Sequence, residues 1–136
     1  MKVITFGTLK GGVGKTMLCF NIGGILSQLG HRVLLIDRDL QGTLTTNIGI
    51  DRTRADLPTL YDVYNVEAGQ PEPEQLILRS PNLKLPYLDM IAGSIFLHKA
   101  ELKIAGLAGR EQILKNYLED HREFFESYDY ILVDTN

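Results

Sequence analysis

A glycine-rich stretch near the start of the chain, Lys10-Gly11-Gly12-Val13-Gly14-Lys15-Thr16, constrains the fold more than any other feature. It follows a short apolar run at residues 3–6 and precedes a segment with helical periodicity. Its Gly-Lys-Thr ending is that of the phosphate-binding loop G-x-x-x-x-G-K-[ST], whose glycines let the backbone approach a phosphate closely. Backbone N–H groups and the start of the following helix then attract the anion. A plain strand-to-helix turn with a surface lysine is the alternative, but the strand and helix patterns on either side favour the phosphate loop.

The polar residues of this loop suit a nucleoside triphosphate bound together with Mg²⁺. We expect Lys15 to reach the β- and γ-phosphates, and the hydroxyl of Thr16 to hold the metal ion. Phosphate oxygens would also meet the backbone N–H groups along the loop. The candidate ATP-binding residues are therefore Lys10, Gly11, Gly12, Val13, Gly14, Lys15, Thr16 and Met17.

The first third of the chain has the pattern of a strand–helix–strand unit. Residues 2–7 predict a buried strand, residues 15–29 predict a helix that ends at Gly30, and residues 32–37 predict a second strand. Such a unit predicts a parallel sheet, in which ligands bind beyond the carboxyl ends of the strands. The glycine-rich loop and Asp37 both fall on that edge. The apolar face of the helix is expected to contain Leu18, Ile22, Ile25, Leu26 and Leu29.

Two carboxylates follow the second strand, in the segment Asp37-Arg38-Asp39-Leu40-Gln41-Gly42-Thr43. They suit Mg²⁺ and a water molecule beside a triphosphate, because phosphoryl transfer to water needs a positioned nucleophile and a neutralised γ-phosphate. A solvated corner with a Gln-Gly turn explains the same residues equally well. The chemistry of these residues alone leaves both interpretations open.

A third candidate acid, Asp134, follows the apolar run at residues 130–133 near the end of the chain. A buried strand with a carboxylate at its carboxyl tip is the Walker B pattern, in which the acid holds the metal, usually through water. The alternative is a core strand with an incidental aspartate. The candidate metal-site residues are therefore Thr16, Asp37 and Asp134.

The remaining segments predict a continuation of the α/β pattern. Residues 43–80 are irregular, with Thr59 as the N-cap of a short helix. Residues 87–93 predict a third strand, and residues 96–105 and 110–126 predict helices.

Composition indicates an ordinary soluble globular protein. The chain has 136 residues, of which 44% are hydrophobic and 23% are charged, and no apolar run is long enough to span a bilayer. A formal net charge of −3 argues against a strong grip on nucleic acid by this segment alone. The single cysteine, Cys19, cannot form an internal disulfide, which fits a reducing cytoplasm, and we expect it to be a small core residue.

Lys10 makes the loop more specific. Lys-Gly-Gly-Val-Gly-Lys-Thr resembles the deviant Walker A family of P-loop ATPases, which includes ParA, Soj, MinD and the nitrogenase iron protein. The resemblance implies that Lys10 reaches across a nucleotide-sandwich homodimer to the phosphates bound by the partner subunit, and so shares catalysis with Lys15. Met17 departs from the family's second threonine, although its backbone N–H can still meet a phosphate.

The acidic segments resemble the same family. The family carries an Asp-x-Asp-Pro-Gln-Gly-Asn segment, and this chain matches it at Asp37, Asp39, Gln41 and Gly42. The match implies that Asp37 supports the Mg²⁺ shell and that Asp39 orients the attacking water. Leu40 replaces the usual proline and Thr43 the usual asparagine, so this loop is expected to be less rigid. The segment that ends at Asp134 is also similar to the family's Walker B strand.

The resemblance as a whole implies an α/β P-loop NTPase fold, with a mostly parallel sheet flanked by helices on both faces. Residues 1–136 would be a single, partial ATPase domain, truncated after the Walker B strand. The loop-bearing strand is central in the family, so it is expected to have an exposed edge here. The half of the family fold that lies beyond this strand carries most of the adenine pocket and the DNA-contacting surface.

The implied function is that of a ParA-like ATPase in the bacterial cytoplasm. ATP would favour a dimer that binds a surface such as nucleoid DNA, and hydrolysis stimulated by a ParB-like protein would release it during plasmid or chromosome partitioning. No membrane contact is expected from this segment. A MinD-like cell-division ATPase, and a nucleotide-binding module without turnover, remain alternatives.

Overall fold

A computed structural model of the chain describes residues 1–54, 56–82 and 84–135. Strands and helices alternate along the first part of the chain, as the sequence pattern predicts. In chain order the elements are β1 (Lys2–Phe6), α1 (Lys15–Gln28), β2 (Val33–Arg38), α2 (Thr43–Ile48), α3 (Leu60–Tyr64), a 3₁₀ turn (Val66–Ala68), α4 (Pro73–Leu76), β3 (Leu88–Ile91), α5 (Leu97–Ile104), a second 3₁₀ turn (Arg110–Gln112), α6 (Ile113–Asp120), α7 (Arg122–Phe125) and β4 (Tyr130–Thr135).

The strands of the described residues form one parallel sheet in the order β1-β4-β2-β3. The last strand therefore lies between the first two. In its register with its neighbours, Asp134 is level with Phe6 on one side and with Asp37 on the other. Since all strands point the same way, their carboxyl ends meet at one edge of the sheet.

Hydrophobic side chains pack on both faces of the sheet, as expected for strands covered by helices. Alternate residues of β2 face opposite sides: Leu34 and Ile36 pack with the helices α3, α5 and α6, whereas Leu35 packs with α1 and α2. This period of two follows from the pleat of a strand. The predicted α/β fold, with a parallel sheet and helices on both faces, is confirmed.

β1 is not the buried strand that its apolar run predicts. Among the strands described it pairs only with β4, and the side chains of Val3 and Ile4 are 49% and 41% exposed. Its position at the edge of the sheet explains the difference, because neither its outer backbone groups nor its flanks are covered. The prediction that the loop-bearing strand has an exposed edge is confirmed.

α1 also lies on the sheet differently from its predicted orientation. Cys19, Gly23 and Ser27 are its buried residues, as Cys19 was expected to be. Gly23 sits so close to the sheet that a Cβ there would lie 2.8 Å from Cδ2 of Leu35. The small residues therefore face the sheet. Ile22 and Leu26 pack beside it, while three residues of the predicted apolar face are exposed, namely Leu18, Ile25 and Leu29.

The remaining differences are local. The helix predicted over residues 110–126 is interrupted at His121, whose φ of −108° and ψ of 31° separate α6 from α7. The N-cap predicted at Thr59 is confirmed as a capping box, in which Asp62 accepts the N–H of Thr59 at 2.8 Å. None of the helices in the described ranges is long and apolar enough to cross a membrane.

Candidate functional site

The glycine-rich loop joins the carboxyl end of β1 to the first residue of α1, Lys15. Gly12 and Gly14 adopt φ angles of +74° and +82°, which side chains other than glycine rarely tolerate. The carbonyl of Gly14 accepts the N–H of Leu18 at 2.9 Å and so starts the helix. The first turn of α1 carries no acidic residue, and therefore its N–H groups and positive end face the loop without a competing carboxylate.

Asp134 is the residue on which the side chains of Lys15 and Thr16 converge. Its carboxylate is fully buried at the end of β4. Thr16 donates its hydroxyl hydrogen to Oδ2 at 2.6 Å, and Nζ of Lys15 lies 3.5 Å from Oδ1. The pairing is tight because β4 lies next to β1, directly under the start of α1. The glycine-rich loop and β4 thus form one polar cluster.

Asp134 also fits the outer shell of a Mg²⁺ site. Its Oδ1 is buried and accepts no hydrogen bond within the described part of the chain. Among the same residues, no group of three or more His, Cys, Asp or Glu side chains is arranged to hold a metal ion. Mg²⁺ that accompanies a nucleotide needs no such cage, since phosphates and water supply most of its ligands. Thr16 and Oδ1 of Asp134, which has Nζ of Lys15 at 3.5 Å but accepts no hydrogen bond from the described residues, match that requirement.

Asp37 lies beside Asp134 in the sheet, but its oxygens are already engaged. Oδ2 accepts both the backbone N–H and the hydroxyl of Thr45, at 2.8 and 2.6 Å. Oδ1 accepts the N–H of Asp39 at 3.2 Å. The side chain is fully buried, and burial raises the pKa of the Asp37 carboxyl above its usual range, whereas the bonds from Thr45 oppose that rise. Asp37 thereby organises the loop that follows β2.

Asp39 and the glycine-rich loop line one cleft of about 510 Å³. All eight candidate ATP-binding residues, from Lys10 to Met17, contribute to its walls, together with Asp39. The structure therefore brings the predicted catalytic residues Lys10, Lys15 and Asp39 to a common space. Asp37 and Asp134 lie beneath it, buried at the ends of their strands.

Four residues that line the cleft were not among the site residues predicted from the sequence, namely Thr8, Gln41, Thr43 and Asn47. Gln41 and Thr43 belong to the segment that resembles a family motif, so the resemblance could have identified them as site residues. Asn47 comes one turn after Thr43 in α2, and only the docking of this short helix brings it to the cleft. A second cleft of about 470 Å³ lies between α6 and the face of the sheet formed by β1 and β4, and it contains none of the predicted site residues.

The fold and the arrangement of the site are those of the P-loop NTPase class. A sequence model of the AAA domain family matches residues 1–136. The chain belongs to this family and to its ParA-like group of P-loop ATPases. It is 37% identical over 134 residues to the chromosome partitioning protein ParA of Caulobacter vibrioides, and 35% identical over 133 residues to the sporulation initiation inhibitor protein Soj of Bacillus subtilis. Each alignment covers 98% of this chain.

Solved structures agree with these relatives. Cobyrinic acid a,c-diamide synthase from Mycobacterium smegmatis, with a bound ATP analogue and magnesium, superposes with a TM-score of 0.81 at 32% identity, over 98% of this chain and 50% of that one. McdA from Cyanothece, without nucleotide, superposes with a TM-score of 0.80 at 29% identity, over 98% and 49%. The chain spans about half the length of the curated relatives, 47% of ParA and 49% of Soj.

Proposed function

We propose that this chain forms the phosphate-binding part of a ParA-like ATPase domain, which binds ATP with Mg²⁺ in the bacterial cytoplasm and hydrolyses it to ADP and phosphate. The observation that carries the proposal is the convergence of Lys15 and Thr16 on the buried carboxylate of Asp134. Lys15 and Thr16 compensate the buried carboxylate of Asp134, and all three groups lie at the end of the glycine-rich loop. They do match what a metal–triphosphate complex requires.

The side chains of the cleft divide the work of hydrolysis. Lys15, which is 13% exposed, would neutralise the β- and γ-phosphates, and Thr16 would ligate the metal through its hydroxyl oxygen. Asp134 accepts the Thr16 hydroxyl in a hydrogen bond and would support the metal's water shell. Asp37 would support the same shell through Oδ1, which accepts a single, longer hydrogen bond of 3.2 Å among the described residues. When bound, Mg²⁺ would neutralise negative charge on the phosphates. Asp39, partly exposed on the cleft wall, would orient the attacking water.

The proposal extends to a switch that controls partitioning. Lys10 is exposed at the mouth of the cleft, where it can reach the phosphates of a second subunit in an ATP-sandwich homodimer. ATP would favour the dimer, and hydrolysis stimulated by a ParB-like protein would dissolve it. In the whole protein, non-specific DNA would serve as the surface that the dimer binds.

Phosphate release and binding of a fluorescent ATP analogue test the enzymatic step. Lys15→Ala is expected to lower kcat/KM at least about a hundredfold, because it removes the positive charge that would stabilise the negative charge developing on the phosphate. Lys115→Ala is the matched control: Lys115 is 65% exposed on α6, where it faces Glu119 at 4.0 Å. Equal rates in wild type and Lys15→Ala would overturn the proposal. Lys15-dependent binding without any turnover would instead indicate a nucleotide-binding module.

A further inference from the structure

We propose that Arg52 is a positioning residue that holds the loop carrying Asp39 in the geometry needed for hydrolysis. This inference rests on the proposed function, since it assigns Arg52 a part in the same reaction. Arg52 lies outside the motifs that the sequence analysis singled out. It follows α2, and its side chain returns to the loop between β2 and α2.

Arg52 binds two consecutive carbonyl groups of that loop. Its Nη2 donates to the carbonyl of Leu40 at 3.1 Å, and its Nη1 donates to the carbonyl of Gln41. The guanidinium group is planar and rigid, so two donors on one fork fix two neighbouring peptide units relative to each other. Leu40 has no ring to restrict its φ angle, and the loop therefore depends on such outside contacts for rigidity.

Two carboxylates, which we call the inner set of contacts, also hold this loop by accepting its backbone N–H groups. Asp37 accepts the N–H of Asp39 at 3.2 Å, and Asp39 in turn accepts the N–H of Gln41 at 3.1 Å. These bonds secure the amide groups of the loop, whereas Arg52 secures its carbonyl groups. Asp39 lies between the two sets of contacts, with its side chain on the wall of the cleft. Removal of Arg52 would leave the inner set and the bond that the N–H of Gly42 donates to the carbonyl of Asp39 at 2.8 Å.

Gly42 shows how closely Arg52 packs on the loop. A Cβ at Gly42 would lie 2.1 Å from Cζ of Arg52, far inside contact distance. Its φ of +57° is also in the left-handed region, and its carbonyl accepts the N–H of Thr46 at 3.1 Å in the first turn of α2. Gly42 therefore permits both the guanidinium contact and the turn into the helix. Arg52 thus joins the loop to the helix that follows it.

Loss of Arg52 should reduce turnover rather than nucleotide binding. The phosphate-binding groups lie on the glycine-rich loop and the first turn of α1, whereas the hydrogen bonds that Arg52 makes to described residues go to the loop between β2 and α2. A more mobile Asp39 would spend less time aligned with the attacking water, and small misplacements of such a group lower rates strongly. We expect Arg52→Ala to lower kcat about tenfold or more while KM for ATP stays within about twofold.

Kinetics and hydrogen exchange test this proposal. Arg52→Ala is compared with Arg52→Lys, which keeps one donor, and with Arg54→Ala, the matched control. Arg54 lies two positions on and forms an exposed pair with Asp56 at 2.6 Å. We expect kcat to fall in Arg52→Ala, to recover partly in Arg52→Lys and to stay at the wild-type value in Arg54→Ala. Amides of residues 39–43 should exchange faster in Arg52→Ala alone.

A coupling measurement adds an independent check. Gly42→Ala should lower kcat less in the Arg52→Ala background than in wild type, because the collision with the guanidinium group is gone while the positive-φ penalty remains in both. Unchanged kcat and unchanged exchange in Arg52→Ala would overturn the inference, as would equal losses in Arg52→Ala and Arg54→Ala. A wild-type chain without Lys15-dependent turnover would overturn the proposed function instead. Hydrogen exchange would then decide whether Arg52 holds the loop.

Discussion

The hydroxyl of Thr16 donates a 2.6 Å hydrogen bond to Oδ2 of Asp134, a residue 118 positions later in the chain. The bond links the first turn of α1 to the end of β4. It orients the Thr16 oxygen while leaving Oδ1 of Asp134 without a hydrogen-bond donor among the described residues. This pair therefore joins the glycine-rich loop and the acidic end of β4 into one polar cluster.

The Thr16–Asp134 bond predicts a specific dependence on Mg²⁺. Thr16→Val keeps the shape of the side chain but removes the hydroxyl, whereas Thr16→Ser keeps the hydroxyl. We expect Thr16→Val to raise the Mg²⁺ concentration for half-maximal activity at least about tenfold, since both a ligand and its support are lost. Thr16→Ser should stay close to wild type. A Mg²⁺ titration of ATP hydrolysis measures this, and similar curves for the two variants would contradict the assignment of Thr16 to the metal.

The proposed role of Lys10 in a partner's site predicts complementation. Lys10→Ala and Asp39→Ala should each be inactive alone. In a mixed dimer, the subunit that keeps Asp39 receives an intact Lys10 from the other subunit, so one complete site forms. An equimolar mixture should therefore regain roughly a quarter of the wild-type rate, because half of the dimers are mixed and each has one working site. Failure to regain activity in mixtures that do form dimers would count against the shared site.

Asp37 predicts a pH dependence of stability with a defined sign. Burial raises its pKa in the folded protein above the ordinary value of 3.8. A raised folded pKa means that Asp37 contributes stability when protonated, below the unfolded pKa, and that this contribution is lost as pH rises through the folded pKa. Asp37→Asn cannot ionise. The unfolding free energy of wild type minus that of Asp37→Asn should therefore decrease from about pH 4 upward.

Urea unfolding of both proteins at several pH values provides the measurement. Asp37→Asn also alters the bond from the N–H of Asp39, and it does so at every pH. The prediction therefore concerns how the difference in unfolding free energy between the two proteins changes with pH, and not its absolute value. A difference that increases with pH would show that hydrogen bonds from Thr45, rather than burial, dominate the titration of Asp37.

Two neighbouring glycines of α1 predict opposite effects on stability. A Cβ at Gly23 would lie 2.8 Å from Cδ2 of Leu35, which is fully buried and has little space to move. Gly23→Ala should therefore lower the free energy of unfolding by about 1–3 kcal/mol. At Gly24 the nearest atoms are methyl groups of Leu85, at 3.8 and 3.9 Å, an ordinary contact. Gly24→Ala should raise the free energy of unfolding by roughly 0.5–1 kcal/mol, because alanine favours a helix.

Chemical denaturation of the two variants under identical conditions tests this pair. If both substitutions raised stability, α1 would lie farther from the sheet than its contact at Gly23 indicates. If both substitutions lowered stability, the space between Gly24 and Leu85 would be smaller than the distances of 3.8 and 3.9 Å indicate.

Sequence patterns predicted the site best where its residues are neighbours in the chain. Lys10 to Met17 line one cleft as expected, because a strand, a tight loop and a helix are formed by consecutive residues. The pattern of an apolar strand that ends in an acid also pointed to Asp37 and Asp134. These two acids lie side by side because parallel strands bring their carboxyl ends together. The orientation of α1 was less predictable: apolar spacing pointed to Leu18, but a glycine contact at Gly23 decides which side meets the sheet.

The amino-acid sequence by itself determined the motifs of this protein: a glycine-rich loop, two acidic strand ends and a family resemblance that comparison with relatives confirmed. Only the tertiary structure decided how these parts meet. The insertion of β4 between β1 and β2 places Asp134 under Thr16, and the return of Arg52 to the carbonyl groups of Leu40 and Gln41 braces the Asp39 loop. Both depend on pairing between residues far apart in the chain. Local propensity and spacing carry no information about such contacts, because strand order and side-chain packing are settled by the whole core at once.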